Sequence, residues 1–111
     1  MVLEMKFEME KYTADTFAPY LGHVFSFESA DAARKSLQLE LVEVKRAKSG
    51  ARPQGFREPF ALLFTAQSPE SFTSASLRLL HDDFAPSEWF VSRVLVPGAD
   101  PHVAYYEAVF G

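Results

Sequence analysis

From Phe56 to Gly111, apolar and aromatic segments alternate with polar residues at every second position, and short breaks of Pro, Ser and Gly separate them. A period of two is that of a pleated strand with one face buried, and it does not fit a helix, whose period is 3.6. The segments recur at spacings of roughly 10–20 residues, the rhythm of antiparallel strands joined by turns and loops. Phe60–Phe64 is continuously apolar, as expected of a central strand covered on both sides. Leu77–His81 and Trp89–Val96 read as the next strands, and His102–Phe110 as the last. In the last strand Ala104, Tyr106, Ala108 and Phe110 share one face, with Val103, Tyr105, Glu107 and Val109 on the other.

The first half continues the pattern. Leu3, Met5, Phe7 and Met9 alternate with charged residues, which predicts a loosely attached leader strand within residues 1–12. Thr13 is placed to cap a short helix with Asp15 in its first turn, Phe17, Tyr20 and Leu21 on one face, and Pro19 limiting its length. Gly22 suits the helix C-terminus. His23–Glu28 reads as a strand. In the next one, Leu37, Leu39 and Leu41 hold one face before the apolar phase switches to Val42 and Val44. A switch of phase within a strand is what a β-bulge produces.

These elements predict a mainly β fold: a small curled antiparallel sheet, barrel or sandwich of five to seven strands with one short N-terminal helix plugging an end. No helical stretch is long enough for a parallel crossover. At 111 residues the chain is the size of one domain, residues 1–111, able to bury roughly two-thirds of its unfolded surface. Apolar residues at 48% and charged ones at 23% give it the means for a core. Eleven Phe residues provide either that core or anchors at an interface.

The chain has no cysteine, which removes disulfides, thiolate catalysis and Cys-ligated metals. The N-terminal residues do not have the form of a signal peptide, and no run of 18 apolar residues occurs, so a soluble cytoplasmic protein without a membrane role is expected. The net charge of −4 is unevenly spread. Lys45, Arg46, Lys48, Arg52 and Arg57 lie within thirteen residues that contain no acid, while the rest carries six cations against fifteen acids. Such a basic loop either keeps the protein solvated or steers an anionic partner. Nucleic acid is not the expected partner, since the pI is 5.3 and no aromatic interleaves the basic residues before Phe56.

Catalytic sets are missing from the sequence. There is no Gly-x-Ser-x-Gly elbow, no phosphate-binding loop and no dinucleotide fingerprint, so neither enzyme activity nor a cofactor is expected. His81, Asp82 and Asp83 are the one tight cluster of ligand-type residues. Their spacing fits turn chemistry better than a metal motif, and a metal-dependent enzyme would need His81 and Asp83 to converge with His23 or His102. Arg57-Glu58-Pro59-Phe60 marks the start of a buried strand, with Arg57 and Glu58 placed to pair with charges such as Glu107 and Arg93.

Several segments resemble an uncharacterised family of small bacterial proteins, a domain of unknown function. They are Phe17-Ala18-Pro19-Tyr20-Leu21-Gly22, Phe25, Leu39–Val44, Arg57-Glu58-Pro59-Phe60-Ala61-Leu62-Leu63-Phe64, Leu95-Val96-Pro97 and Tyr106–Phe110. The likeness runs from about residue 13 to the end. It departs between Gln67 and Glu88, where Ser74-Ala75-Ser76-Leu77-Arg78-Leu79 replaces the expected glycine-containing turn and Tyr-Arg-Leu strand, leaving that strand boundary open. The resemblance implies at most an accessory or assembly role beside phage-tail-collar-like proteins, and it carries over no catalytic residue.

Trp89 with Phe90, and Tyr105 with Tyr106, put rings on both faces of their strands, so one ring of each pair falls outside a one-sided core. The function expected from this is a non-enzymatic protein-interaction or assembly accessory module, for a phage-tail-like or secreted fibre protein or for self-association as a homodimer. Trp89, Phe90 and Tyr105 would form the partner-binding patch, with Arg46, Lys48 and Arg52 as a secondary contact. The alternative is a small β-barrel that carries an apolar small molecule in a Phe-lined cavity.

Overall fold

The computed structural model describes residues 11–29, 36–46, 59–66, 74–100 and 102–110. A four-residue helix α1 (Ala14–Phe17) runs into a 3₁₀ turn (Ala18–Tyr20), followed by six strands. These are β1 (Val24–Ser29), β2 (Ser36–Arg46), β3 (Phe60–Ala66), β4 (Ser74–Leu80), β5 (Ser87–Val94) and β6 (Tyr105–Phe110). All pairings are antiparallel and the order β1-β2-β3-β6-β5-β4 closes into a barrel through β4 and β1. Closure gives every strand a partner on both sides, although β5 and β6 pair only over Ser92–Val94 and Tyr105–Glu107.

The alternation read from the sequence becomes inside and outside. Phe25 and Phe27 of β1, Leu37, Leu39 and Leu41 of β2, and Phe60, Leu62 and Phe64 of β3 point inward. So do Leu77 and Leu79 of β4, Trp89 and Val91 of β5, and Tyr106, Ala108 and Phe110 of β6. The phase switch in β2 is a bulge: Leu41 pairs with Phe64 and Glu43 with Leu63, leaving Val42 as the extra residue. Val44 therefore returns to the core, whereas Val42, expected beside it, is exposed. Leu63 is on the outer face, with Glu43 and Glu107 as cross-strand neighbours, yet it is buried, in keeping with a strand covered on both sides.

Rings fill the lumen. Phe25 of β1 meets Phe64 of β3 at 5.7 Å, and Phe27 of β1 meets Trp89 of β5 at 5.5 Å, contacts that reach past intervening strands. Each fully buried ring of this size contributes roughly 1.5–3 kcal/mol of burial energy, and well-oriented pairs add about 0.5–1.5 kcal/mol.

One end of the barrel is plugged by α1 and the 3₁₀ turn. Phe17 stacks on Phe84 at 5.2 Å and reaches Phe25, Phe60, Trp89 and Phe110. Tyr12 packs edge-on against Phe17, Phe84, Trp89 and Phe110. It is fully buried, so it is part of the core and not of a loose leader; residues 1–10 lie outside the described residues. The expected N-cap is Thr13, whose N–H donates to Thr16 Oγ1 at 3.0 Å. Gly22 ends the plug at φ 87°, a left-handed conformation that other residues adopt with strain, and its N–H donates to the Leu41 carbonyl at 2.8 Å.

Several strand boundaries differ from expectation. β4 begins at Ser74 within a stretch read as loop, because it pairs with Ser92 of β5, β3 runs on to Ala66, β5 spans Ser87–Val94 instead of Trp89–Val96, and β6 begins at Tyr105 instead of His102. Ser and Thr are poor markers of a loop when the partner strand supplies the hydrogen bonds.

Candidate interaction surface on the outer wall

Among the described strand residues, the large apolar side chains most exposed on the outer wall are Val109 of β6 and Phe90 of β5, ahead of Val24, Leu80 and Val42. Register aligns Lys45 of β2 with Ala61 of β3, and Ala61 with Val109 of β6. The β5–β6 ladder runs from Val94 and Tyr105 to Ser92 and Glu107 and stops there; beyond it the inward rings of Trp89 and Phe110 meet at 5.0 Å, so the outward residues next to them, Phe90 and Val109, lie on neighbouring parts of the wall. Phe90 in turn pairs with Ser76 of β4. One row thus crosses three strands as Lys45, Ala61 and Val109, with Phe90 and Ser76 paired on the adjoining strands. Phe90 is 61% exposed and Val109 68% exposed. Beside them, Lys45, Arg46, Pro59, Phe60, Ala61 and Val109 line a hollow of about 190 Å³.

Ion pairs frame this row. Lys45 Nζ donates to Glu107 Oε2 at 3.2 Å, a bridge that crosses β3 between Ala61 and Leu63. Arg46 binds the Asp15 carboxylate of α1 and so ties β2 to the plug. The Arg46–Asp15 pair is well exposed and Lys45–Glu107 partly so, and each contributes no more than about 1 kcal/mol at the edge of the apolar centre.

The residues expected to bind a partner are distributed differently by the structure. Phe90 is exposed beside the row. Trp89 is not part of any patch: it points inward, 1% exposed, with its indole N–H on Ser87 Oγ at 3.0 Å. The expectation for Trp89 is corrected by the phase of β5, in which Trp89 and Val91 face the lumen and Phe90 the solvent. Tyr105 is half-buried on the outer face and lines a second hollow at the other end of β6. Arg46 borders the row, while Lys48 and Arg52 lie outside the described residues, as do Arg57 and Glu58. Of the charges expected as their partners, Glu107 holds Lys45 and Arg93 lies opposite Tyr106. Val109 was missed by sequence reading, although the signal was present. It is an aliphatic residue on the same strand face as Glu107, where solvent contact selects polar side chains.

The His81–Asp83 cluster is a turn. The Asp83 N–H donates to His81 Nδ1 at 3.0 Å, and the Asp83 carboxylate accepts from the Tyr20 hydroxyl at 2.8 Å. His23 and His81 both pack against the Tyr20 ring, so His23 does come near the cluster, but with the phenol between. Among the described residues no three His, Asp or Glu side chains converge as metal ligands. Burial, reinforced by the Asp83 carboxylate, raises the Tyr20 pKa above 10.0. Burial also raises that of Tyr12, partly offset by the nearby Ser87 hydroxyl and Trp89 indole N–H.

The core and the plug are bounded by Tyr12 and Phe110, and a family model described as a domain of unknown function, DUF6916, matches residues 12–110. The chain belongs to the DUF6916 family. The DUF6916 match therefore begins on the first buried ring described and ends on the last. Comparison with curated proteins and with solved structures finds no match.

Proposed function

We propose that the chain is a non-enzymatic interaction module that receives another protein chain on the outer wall of β3, β6 and β5. The observation that carries this reading is that Phe90 and Val109, two strongly exposed apolar side chains, sit on neighbouring strands whose other outward positions are largely polar. Covering Phe90 alone would contribute roughly 1.5–3 kcal/mol to association. The ionic rim of Lys45, Arg46 and Glu107 suits the polar periphery that surrounds such a centre. The alternative of an apolar cargo inside the barrel is less well supported, because Phe25, Phe27, Phe64 and Trp89 contact one another across the lumen. The partner class to test first is a phage-tail-like or secreted fibre protein, with a second copy of the chain as the other arm.

A benzophenone amino acid at Val109, introduced in the native host, should crosslink a protein. The same probe at Val24, exposed on β1 and three strands away around the barrel in either direction, should not. Equal yields from both positions, or none from Val109, would sink this reading.

A further inference from the structure

The connection between β5 and β6 forms a groove of about 470 Å³, within the size range of ligand sites, lined by Val94, Leu95, Val96, Val103, Tyr105 and, at its edge, Arg93. It lies at the end of the barrel opposite the plug. A polar row containing Glu107 and Ser92 separates it from Phe90 and Val109. The groove is held in shape by its own backbone. The Ala99 N–H donates to the Val96 carbonyl and the Val103 N–H to the Asp100 carbonyl, both at 3.1 Å. Gly98 at φ 77° permits the first of these turns. The Ala66 N–H, at the end of β3, donates to the Ala104 carbonyl at 3.1 Å and ties the connection to the wall.

Three features specify an occupant. The walls are apolar, and Leu95 is 95% exposed, which leaves it available to cover a hydrophobic side chain. Arg93 has no ion-pair partner among the described residues, and a guanidinium is a planar fork matched to a carboxylate. The other charged group of the lining, Asp100, is engaged, with Oδ1 accepting the His102 N–H at 2.8 Å. At the groove β6 is paired on both sides, Tyr105 with Thr65 and with Val94, so a peptide cannot add to it as a strand and an internal segment would leave backbone groups unpaired there. A chain end brings in fewer backbone groups and supplies the anion itself.

We propose that this groove binds the hydrophobic C-terminus of a polypeptide, with the terminal carboxylate on Arg93 and the last side chains against Val94, Leu95, Val96 and Val103. The site goes beyond the interaction surface on the outer wall and does not depend on it.

The test passes a pool of peptides with random sequence and free C-termini over the immobilised full chain, in parallel with the same pool amidated at the C-terminus. Bound peptides are sequenced by mass spectrometry. The free-acid pool should be enriched in aliphatic and aromatic residues at its last positions, the amidated pool should not, and R93Q should reduce the enrichment about tenfold or more, the scale of one charge-assisted pair. R93K should retain part of it. The variant Phe90→Ser/Val109→Ser should select the same peptides as the wild type, which separates this site from the outer wall. Enrichment equal in both pools, absent from both, or unchanged by R93Q would overturn the proposal. So would displacement of the peptides by hexanoate at comparable concentration, which would assign the groove to small acids.

Discussion

Trp89 has its indole in the lumen against Phe27 and Phe110, while Phe90, one residue on, has its ring in solvent. Trp89→Ala is expected to cost about 3–5 kcal/mol in urea unfolding, and Phe90→Ser to stay within about 0.5 kcal/mol of the wild type. Comparable losses for the two would show that the inward phase of β5 is wrong. That one ring of each aromatic pair lies outside was legible in the sequence; which one was not, because a lone alternating strand looks the same from either face. Tyr12 is a second residue-scale case. The neutral phenol is favoured in the folded state, so the group keeps its proton above the unfolded value of 10.0. Its contribution is complete below that pH and is lost as pH rises through the higher folded value. Stability should therefore fall on the alkaline side, and Tyr12→Phe should flatten that fall in urea melts taken from pH 9 to about 11. Parallel pH profiles for the two proteins would remove Tyr12 as the cause.

Among the elements, β2 and the plug show what the sequence encodes well. The change from Leu41 to Val44 as core residues requires one extra position, and Val42 is that position. Val42→Ser should be tolerated with little loss of stability. Deleting Val42 should cost the fold its two-state melt, because either Val44 leaves the core or Lys45 enters it. A deletion variant with a wild-type melting curve would contradict the bulge. Thr13, Asp15, Pro19 and Gly22 made the plug legible through local chemistry alone. The start of β4 was not legible, since Ser74 and Ser76 become strand residues only by pairing with Ser92 and Phe90. The pairing order β3-β6-β5-β4 likewise depends on contacts distant in sequence, which periodicity does not report.

For the whole molecule, closure and filling decide where function can reside. The inside is aromatic and aliphatic, while the outer wall carries Glu43, Lys45, Arg78, Glu88 and Glu107, the reverse of the pattern in a lipid-facing barrel. No helix among the described residues is long and apolar enough to cross a membrane. With the lumen occupied by rings, the proposed binding uses the outer wall and the loops at the ends. The sequence led to the expectation of such a surface through its surplus of aromatics. Its location depended on bringing Phe90 beside Val109, which lie on strands separated by the whole β5–β6 connection. The most direct measurement is quantitative affinity capture in native-host cells, comparing the tagged wild type with Phe90→Ser/Val109→Ser, isotope-encoded and mixed before analysis. The expected result is that a specific protein or a second copy is captured by the wild type and falls about tenfold or more in the variant, whose melting curve is unchanged. Equal capture by both proteins, or an apolar small molecule released from the wild type as its only companion, would contradict an interaction surface on the outer wall.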